Sequence, residues 1–374
     1  MNAAAGIAGR RLLQQRIAHA GLRRPQDVVG WLGAIQAQEY EPAKWAIGLR
    51  LAGEPLAADV ERAFETGRIL RTHVLRPTWH FVTATDIRWL LSLTGPRVQR
   101  VIANYARRAE LDSRTLRRGI DVIGLALGEH KHLTRRELAE ALRVAGLPMS
   151  GLRLALLMMH AELEAIVCSG PRRDRQHTYA LLADRAPRAV RLTREEALAT
   201  LCRRFFTSHG PATITDFRWW SGLTVADAKR GLAMNRSQAV EIDGLTYWTI
   251  DQPALDAGNR KSPRTPRTPG ISRTSRPDVH LLPIYDEYLV AYRDRVAVPH
   301  LSAGGGPMSR TFQHALVING QVAGTWRAAQ TGDIVELRAV PCRRLSSGEW
   351  DAFARTARRY ERYLGVTVDV LCSR

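Results

Sequence analysis

Thr213-Ile-Thr-Asp-Phe-Arg-Trp-Trp220, closed by Gly222, runs into Thr224-Val-Ala-Asp-Ala-Lys-Arg-Gly-Leu-Ala233, then Ala239-Val-Glu-Ile242, Asp243-Gly244 and Leu245-Thr-Tyr-Trp-Thr-Ile250. The first run reads as a helix that Gly222 breaks. Thr224 suits the N-cap of a second helix. Two short strands then flank an Asp-Gly pair, a strong hairpin signal. Helix, turn, helix and hairpin together make a winged helix.

The same order is visible upstream without sequence identity between the copies. From about Asp121 to Leu182, Thr134-Arg-Arg-Glu137 forms a capping box opening a helix to Val144. Gly146 to Pro148 turns the chain, and Ser150 caps a long apolar helix through Leu163. A strand around Val167, the turn Gly170 to Gln176 and the strand Thr178 to Leu182 make a wing. Arg172, Arg173 and Arg175 at its tip are candidates for DNA phosphate contact. Nearer the N-terminus, Arg10 to Ile17 and Pro25 to Gln36 read as helices, with Pro25 in a first turn. Asp59 to Gly67 reads as the next helix, and Ile69 to Leu75 and Thr78 to Val82 as strands around Arg76-Pro77. After residue 277, His280 to Ile284, Ala315 to Ala323 and Asp333 to Arg338 predict strands. Asn319-Gly320 predicts a hairpin, and Ser347 to Leu364 a final helix.

The expected fold class is therefore α+β: three tandem winged-helix modules with a β-rich C-terminal part, forming a C-shaped basic scaffold. The expected domains are residues 1–112, 113–190 and 191–374, the last combining the third module with the β-rich region. Residues 260–277, rich in Pro, Ser, Thr and Arg, predict a basic flexible loop. Arg264, Arg267 and Arg273 within it are further candidates for DNA contact.

The chain of 374 residues carries a formal net charge of +19, a surplus that implies a polyanionic partner, nucleic acid first. All basic residues except Lys44, Lys131, Lys229 and Lys261 are arginine, which suits bidentate phosphate contact. The N-terminus lacks the apolar core of a signal peptide, and no run approaches the roughly 20 apolar residues that span a bilayer. Cys168, Cys202, Cys342 and Cys372 are scattered without a Cys-x-x-Cys pair, which argues against a zinc site or a disulfide framework. The expectation is a cytoplasmic, nucleoid-associated monomer with no metal and no cofactor.

One further stretch, Trp31-Leu-Gly-Ala-Ile-Gln-Ala-Gln-Glu-Tyr40, sets Gln36 and Gln38 two residues apart at the end of a helical run. With Arg76-Pro-Thr-Trp-His80, Gly210-Pro-Ala-Thr213, Asp216-Phe-Arg-Trp-Trp-Ser-Gly222, Leu282-Pro-Ile-Tyr-Asp-Glu-Tyr-Leu289, Tyr292-Arg-Asp-Arg295 and Gly324-Thr-Trp326, it resembles the AlkZ-like family of DNA glycosylases. The likeness runs from about Arg10 to Tyr363. It implies tandem winged helices and removal of bulky N7-alkylated purines from double-stranded DNA, including the unhooking of interstrand crosslinks. A related branch carries aspartate in place of the second glutamine. Gln38 aligns this chain with the two-glutamine branch, which implies self-resistance to a DNA-alkylating natural product. The Arg260–Pro277 insert matches no family motif.

The chemistry suits that implication. An N7-alkylguanine is already cationic and leaves as a neutral base, so the protein need only aim a water at C1′ and shield an oxocarbenium-like transition state. An amide oxygen can accept from that water, and an amide nitrogen can donate to sugar or phosphate. Residues i and i+2 diverge on a helix, so the pair is expected past the helix end, on extended or turning backbone. Gln36 and Gln38 are the expected catalytic residues, supported by His80, Trp79, Glu39 and Asp286. His80 is cast as orienting a glutamine or stabilising the leaving base. Glu39 and Glu41 either stabilise the cation or pair with arginines. Asp286 and Glu287 either line the pocket or form an internal ion pair. Trp219 and Trp220 read more readily as core than as stacking platforms. Gly304-Gly-Gly306 lacks the Lys and Ser/Thr of a phosphate loop. No lysine sits in a motif for attack on C1′, so a monofunctional glycosylase is expected. Three wings around a duplex would approach a bulky adduct in place rather than flip it into a closed pocket. The alternative is a non-enzymatic winged-helix transcription regulator, since fold does not determine function.

Overall fold

The computed structural model describes residues 3–128, 131–250, 276–293, 313–331 and 334–372. After α1 (Ala3–Gln14), the chain forms α2 (Pro25–Leu32), β1 (Ile35–Gln36), α3 (Tyr40–Gly48), α4 (Ala57–Glu65), β2 (Ile69–Val74) and β3 (Arg76–Thr83). The three strands lie in the order β1-β3-β2. A long helix, α5 (Ile87–Arg108), leads to α6 (Ser113–Ala126), β4 (Leu133–Thr134), α7 (Arg135–Val144), α8 (Gly151–Leu163), β5 (Val167–Ser169) and β6 (Thr178–Leu181), closed by α9 (Leu182–Arg185). Their sheet order, β4-β6-β5, repeats the first. The order recurs in α10 (Arg194–Ser208), α11 (Ile214–Ser221), α12 (Val225–Ala233) and the hairpin β7 (Gln238–Ile242) and β8 (Leu245–Thr249). Here the short leading strand has shrunk to a single bridge between Ala212 and Trp248.

Local chemistry explains where these elements start. Thr134, Thr193, Thr213 and Thr224 each accept a backbone N–H three residues on, and an acid at that position bonds back to the cap. Each reciprocal pair satisfies two backbone donors that a helix start leaves open. Asp243 and Gly244 both have positive φ, at 50° and 75°, the geometry of the tight turn expected there. α2 ends at Leu32 rather than running on to Gln36. Gly33 takes φ +86° and its N–H closes on Val29, so the chain leaves the helix and enters β1. The sequence reading also missed α3, α5 and the lead strands β1 and β4, whose two residues carry too little periodicity to register.

The C-terminal part contains β9 (Val279–Leu282), α13 (Glu287–Val290), β10 (Ala315–Ile318), β11 (Gln321–Thr331), β12 (Ile334–Pro341), α14 (Ser347–Leu364) and β13 (Thr367–Cys372). Asn319 and Gly320, both at positive φ, turn β10 into β11. The sheet order is β13-β12-β11-β10-β9, with β13 parallel to β12.

Two apolar cores result, and the β1-β3-β2 sheet stands between them. Ala34, Leu70, Val74 and Val82 face a core built with α5, α8, α10 and α11. Ile35, Ala37, Ile69 and Phe81 face the other, shared with α2, α3, α14 and the C-terminal sheet. Strict alternation along each strand assigns neighbouring residues to opposite cores. Gln36 belongs to the face of Ala34.

The segment before α13 is fastened by charge. Arg50 and Asp286, both fully buried, form a bidentate pair with two contacts of 2.8 Å. Arg50 also donates to the backbone oxygens of Ala46 and Gln15 and to the Gln15 side chain, while Asp286 accepts the Tyr288 N–H. Such a pair adds little net stability over an apolar substitute, but breaking one side strands a buried charge. Arg50→Met should therefore lower unfolding free energy by about 3–5 kcal/mol in urea melts, and adding Asp286→Leu should restore part of it. A single variant as stable as the parent would contradict this.

Candidate active site

The Gln36-Ala37-Gln38 backbone is held from three sides. The Gln36 N–H donates to Glu287 Oε1 at 2.8 Å, across 251 residues of sequence. The Ala37 N–H donates to the Trp79 carbonyl at 2.7 Å. Arg71 Nε donates to the Ala37 carbonyl at 2.9 Å, and its guanidinium lies 4.3 Å from the Trp79 ring centre. Trp79 thus acts on the backbone of the motif, from the sheet face opposite the glutamine side chains.

The two amides differ. Arg76 donates from Nη2 to Gln36 Oε1 at 2.9 Å. That fixes the flip of the Gln36 amide, because only its oxygen can accept from a guanidinium. Its NH2 end is left to donate. Gln38 is half-buried, and no side-chain hydrogen bond engages it among the described residues. The strand ends at Gln36, and Gln38 lies in the bend that leads into α3.

Glu287 is the carboxylate behind this pair. It is fully buried, and its Oε2 accepts from Trp220 Nε1 at 2.9 Å and lies 3.6 Å from His209 Nε2. Burial works against its charge, but His209, the Arg76 charge and the Gln36 N–H hold its carboxyl below the ordinary 4.5. Glu287 is therefore anionic at neutral pH. Bulky residues at positive φ sit just before both charged groups: Leu75 (φ 63°) precedes Arg76, and Tyr285 (φ 63°) precedes the Asp286-Glu287 pair. Such backbone persists only where the surroundings over-determine it.

His80 lies opposite Gln36 in the sheet register and is fully buried. Its Nδ1 donates to the Thr78 carbonyl at 2.9 Å, which leaves Nε2 as an acceptor. Burial first, and the Arg76 charge after it, push His80 well below its ordinary 6.5, so the ring is neutral. Its Nε2 and the hydroxyls of Thr72 and Thr78 are buried without hydrogen-bond partners among the described residues.

The other expected residues separate. Asp286 is committed to Arg50 and does not reach the amides; its neighbour Glu287 does, and only the pair as a whole was legible in the sequence. Glu39 is exposed at the start of α3. Glu41 pairs with Lys44 at 2.8 Å and Arg172 at 3.0 Å. The Arg172 guanidinium is also 4.7 Å from the Tyr40 ring centre and is largely covered. Arg173 is likewise tied to Glu137 at 2.7 Å and to the His132 carbonyl at 2.8 Å. Acids of α3 and α7 thus meet these two wing arginines, whereas Arg175 is exposed with no side-chain bond among the described residues. Arg264, Arg267 and Arg273 lie outside the described residues. Trp220 is core, as expected, whereas Trp219 is 39% exposed. The role of Arg76 was missed, although it sits in a quoted motif, because only the fold brings it to Gln36.

Repeated helix-turn-helix and hairpin units, which bring the Gln36 backbone onto a buried carboxylate and its side-chain amide onto an arginine, define a mixed helix-and-strand protein. A family model described as DNA glycosylase AlkZ-like matches residues 29–363, and the chain belongs to that family. The solved structure of Streptomyces sahachiroi DNA glycosylase AlkZ has a similar fold, with a TM-score of 0.75 over 99% of this chain and 100% of that chain, at 21% identity. Among curated proteins, none matches. No helix of the described residues is long and apolar enough to cross a membrane.

The buried groups set how stability responds to acid. His80 and His209 have folded values below the ordinary 6.5, and Glu287 lies below 4.5, so in each case the unfolded chain binds the proton more readily. Stability therefore rises with pH wherever these groups titrate. Urea midpoints should be level above neutrality, fall from about pH 6.5 as the unfolded histidines gain protons, and fall again near pH 4.5 as the unfolded carboxylate does. A midpoint that rises on acidification from neutral would contradict these assignments.

Proposed function

We propose that the protein is a monofunctional DNA glycosylase that hydrolyses the N-glycosidic bond of bulky N7-alkylated purines and unhooks interstrand crosslinks, in self-resistance to a DNA-alkylating natural product. The observation that carries this reading is the difference between the amides: Gln36 is locked by Arg76 through its oxygen, and no side-chain hydrogen bond engages Gln38 among the described residues.

Gln38 Oε1 accepts a hydrogen bond from the attacking water, and the Gln36 NH2 donates to the sugar or an adjoining phosphate. As the C1′–N9 bond breaks, its electron pair goes to the base, which cancels the charge of the alkylated ring. The water oxygen bonds to C1′, and its proton passes to solvent. No general acid is needed, because the leaving group is neutral on departure. That fits a site whose buried histidine is neutral and whose buried carboxylate is engaged by donors. Positioning supplies the rate.

Monofunctional chemistry is supported by Lys44, the lysine nearest the amides in sequence. Its Nζ lies 2.6 Å from Glu61 and 2.8 Å from Glu41, and an ammonium held between two carboxylates is a poor nucleophile. The net charge of +19 supports duplex binding through phosphate contacts that weaken with salt. In this reading the three helix–hairpin units act as winged-helix modules of one monomeric C-shaped scaffold, which meets a bulky lesion from the groove.

The test is single-turnover base release from duplex DNA carrying N7-methylguanine, read as alkali-labile breaks. Gln38→Ala should slow release by about 10²-fold while duplex affinity stays unchanged. Strand breaks should require the alkali step. An unaltered rate in the Gln36→Ala, Gln38→Ala double variant would refute the assignment and favour a DNA-binding regulator.

A further inference from the structure

A cleft of about 410 Å³ opens beside this site, lined by Arg97, Arg218 and Arg293 with Thr215, Trp219 and Gly222. The three arginines come from α5, α11 and the segment after α13, so only the folded chain assembles them. No acidic residue lines the cleft, and none of the three arginines forms an ion pair among the described residues. Arg97 is oriented by donating from Nε to the Gly222 carbonyl at 2.5 Å, and the Arg293 guanidinium lies 5.4 Å from the Trp219 ring centre. Arg218 and Arg293 are exposed. Elsewhere in the protein, arginines such as Arg50, Arg172, Arg173 and Arg204 are neutralised by carboxylates. Three unpaired guanidinium groups facing one space repel one another unless an anion lies among them.

The cleft is joined to the amide pair. The Trp219 carbonyl, on its wall, accepts from Arg76 Nη1 at 3.5 Å, and the other end of the same guanidinium holds Gln36 Oε1. Gly222 lies against the Leu75 carbonyl, and a Cβ there would collide with it, so the cleft floor is packed onto the residue that precedes Arg76.

We propose that this cleft binds a phosphodiester of the DNA strand that carries the lesion, close to the damaged nucleotide. The inference rests on the glycosylase reading for the position of that phosphate, but not for its binding. Arg218 and Arg293 grip the phosphate oxygens, Arg97 completes the cradle, and Trp219 walls it. A bound phosphate then sets the distance from the backbone to Gln36 through Arg76, so the site selects register along the strand as well as adding affinity.

Two measurements test it, with Arg218→Ala, Arg293→Ala as the variant; both side chains are exposed, and a matching thermal melt confirms that it folds. The first is duplex binding by anisotropy, on undamaged DNA, over a range of salt. The slope of log K against log salt should become shallower by about 0.9, the loss of one phosphate contact. An unchanged slope overturns the proposal whether or not the protein is a glycosylase. The second is base release from N7-methylguanine duplexes with one methylphosphonate placed at successive linkages. The parent should slow by about tenfold at one linkage near the lesion, and the variant should lose nothing further there. Equal sensitivity of parent and variant at that linkage, or none in the parent at any linkage, overturns it. A parent that releases no base on any duplex while showing the salt-slope difference would sink the glycosylase reading and leave the anion site standing.

Discussion

The buried pair between Arg50 and Asp286 is the constraint on which the site depends. It joins α3's far end to a segment more than two hundred residues away, and it lies where water cannot relieve either charge. With Asp286 so held, the next residue, Glu287, has little freedom. Its carboxylate meets the Gln36 N–H on one side and Trp220 on the other. The motif, α11 and the loop before α13 are thereby registered against one another. The pair need not stabilise the fold overall, since an apolar core of the same shape would serve. Its effect is positional.

Charge is kept near the amides without being placed on them. Glu287 balances Arg76, Arg76 polarises Gln36, and His80 stays neutral because it is buried beside a cation. A carboxylate in the place of Gln38 would activate water more strongly, but would also bring a fixed negative charge toward a phosphate backbone. For a substrate that carries its own positive charge, one amide held by Arg76 beside a second can suffice, because a preorganised dipole costs no reorganisation as charge develops. The surplus of arginine has a second use within the fold. Many guanidinium groups are consumed in joining the helix–hairpin units, so the count of 55 basic residues overstates the number available to DNA.

Much of this architecture was legible in the sequence where local chemistry is strong. The capping box at Thr134, the N-cap at Thr224, the turns at Asp243-Gly244 and Asn319-Gly320, and the final helix from Ser347 to Leu364 all appear as read. The site was legible in part: Gln36 and Gln38 lie past the helix end, in a short strand and the bend after it, with His80 across from Gln36. The remainder depends on long-range contact. Nothing local separates Asp286, committed to Arg50, from Glu287, which supports the motif. Nothing local shows that Arg172 and Arg173 at a wing tip find Glu41 and Glu137, or that Arg97, Arg218 and Arg293 converge. Two-residue strands such as β1 carry no period at all, which is why the helix before Gln36 was drawn one turn too long.

The most direct measurement is a double-mutant cycle on Arg76 and Gln36, read as single-turnover release of N7-methylguanine from duplex DNA. If Gln36 acts because Arg76 holds it, then Arg76→Met, Gln36→Ala and the double variant should all be slowed by similar factors, the second change adding almost nothing to the first. Losses that multiply would mean that the two side chains act separately, and that the arginine-locked amide is not the working unit of the site.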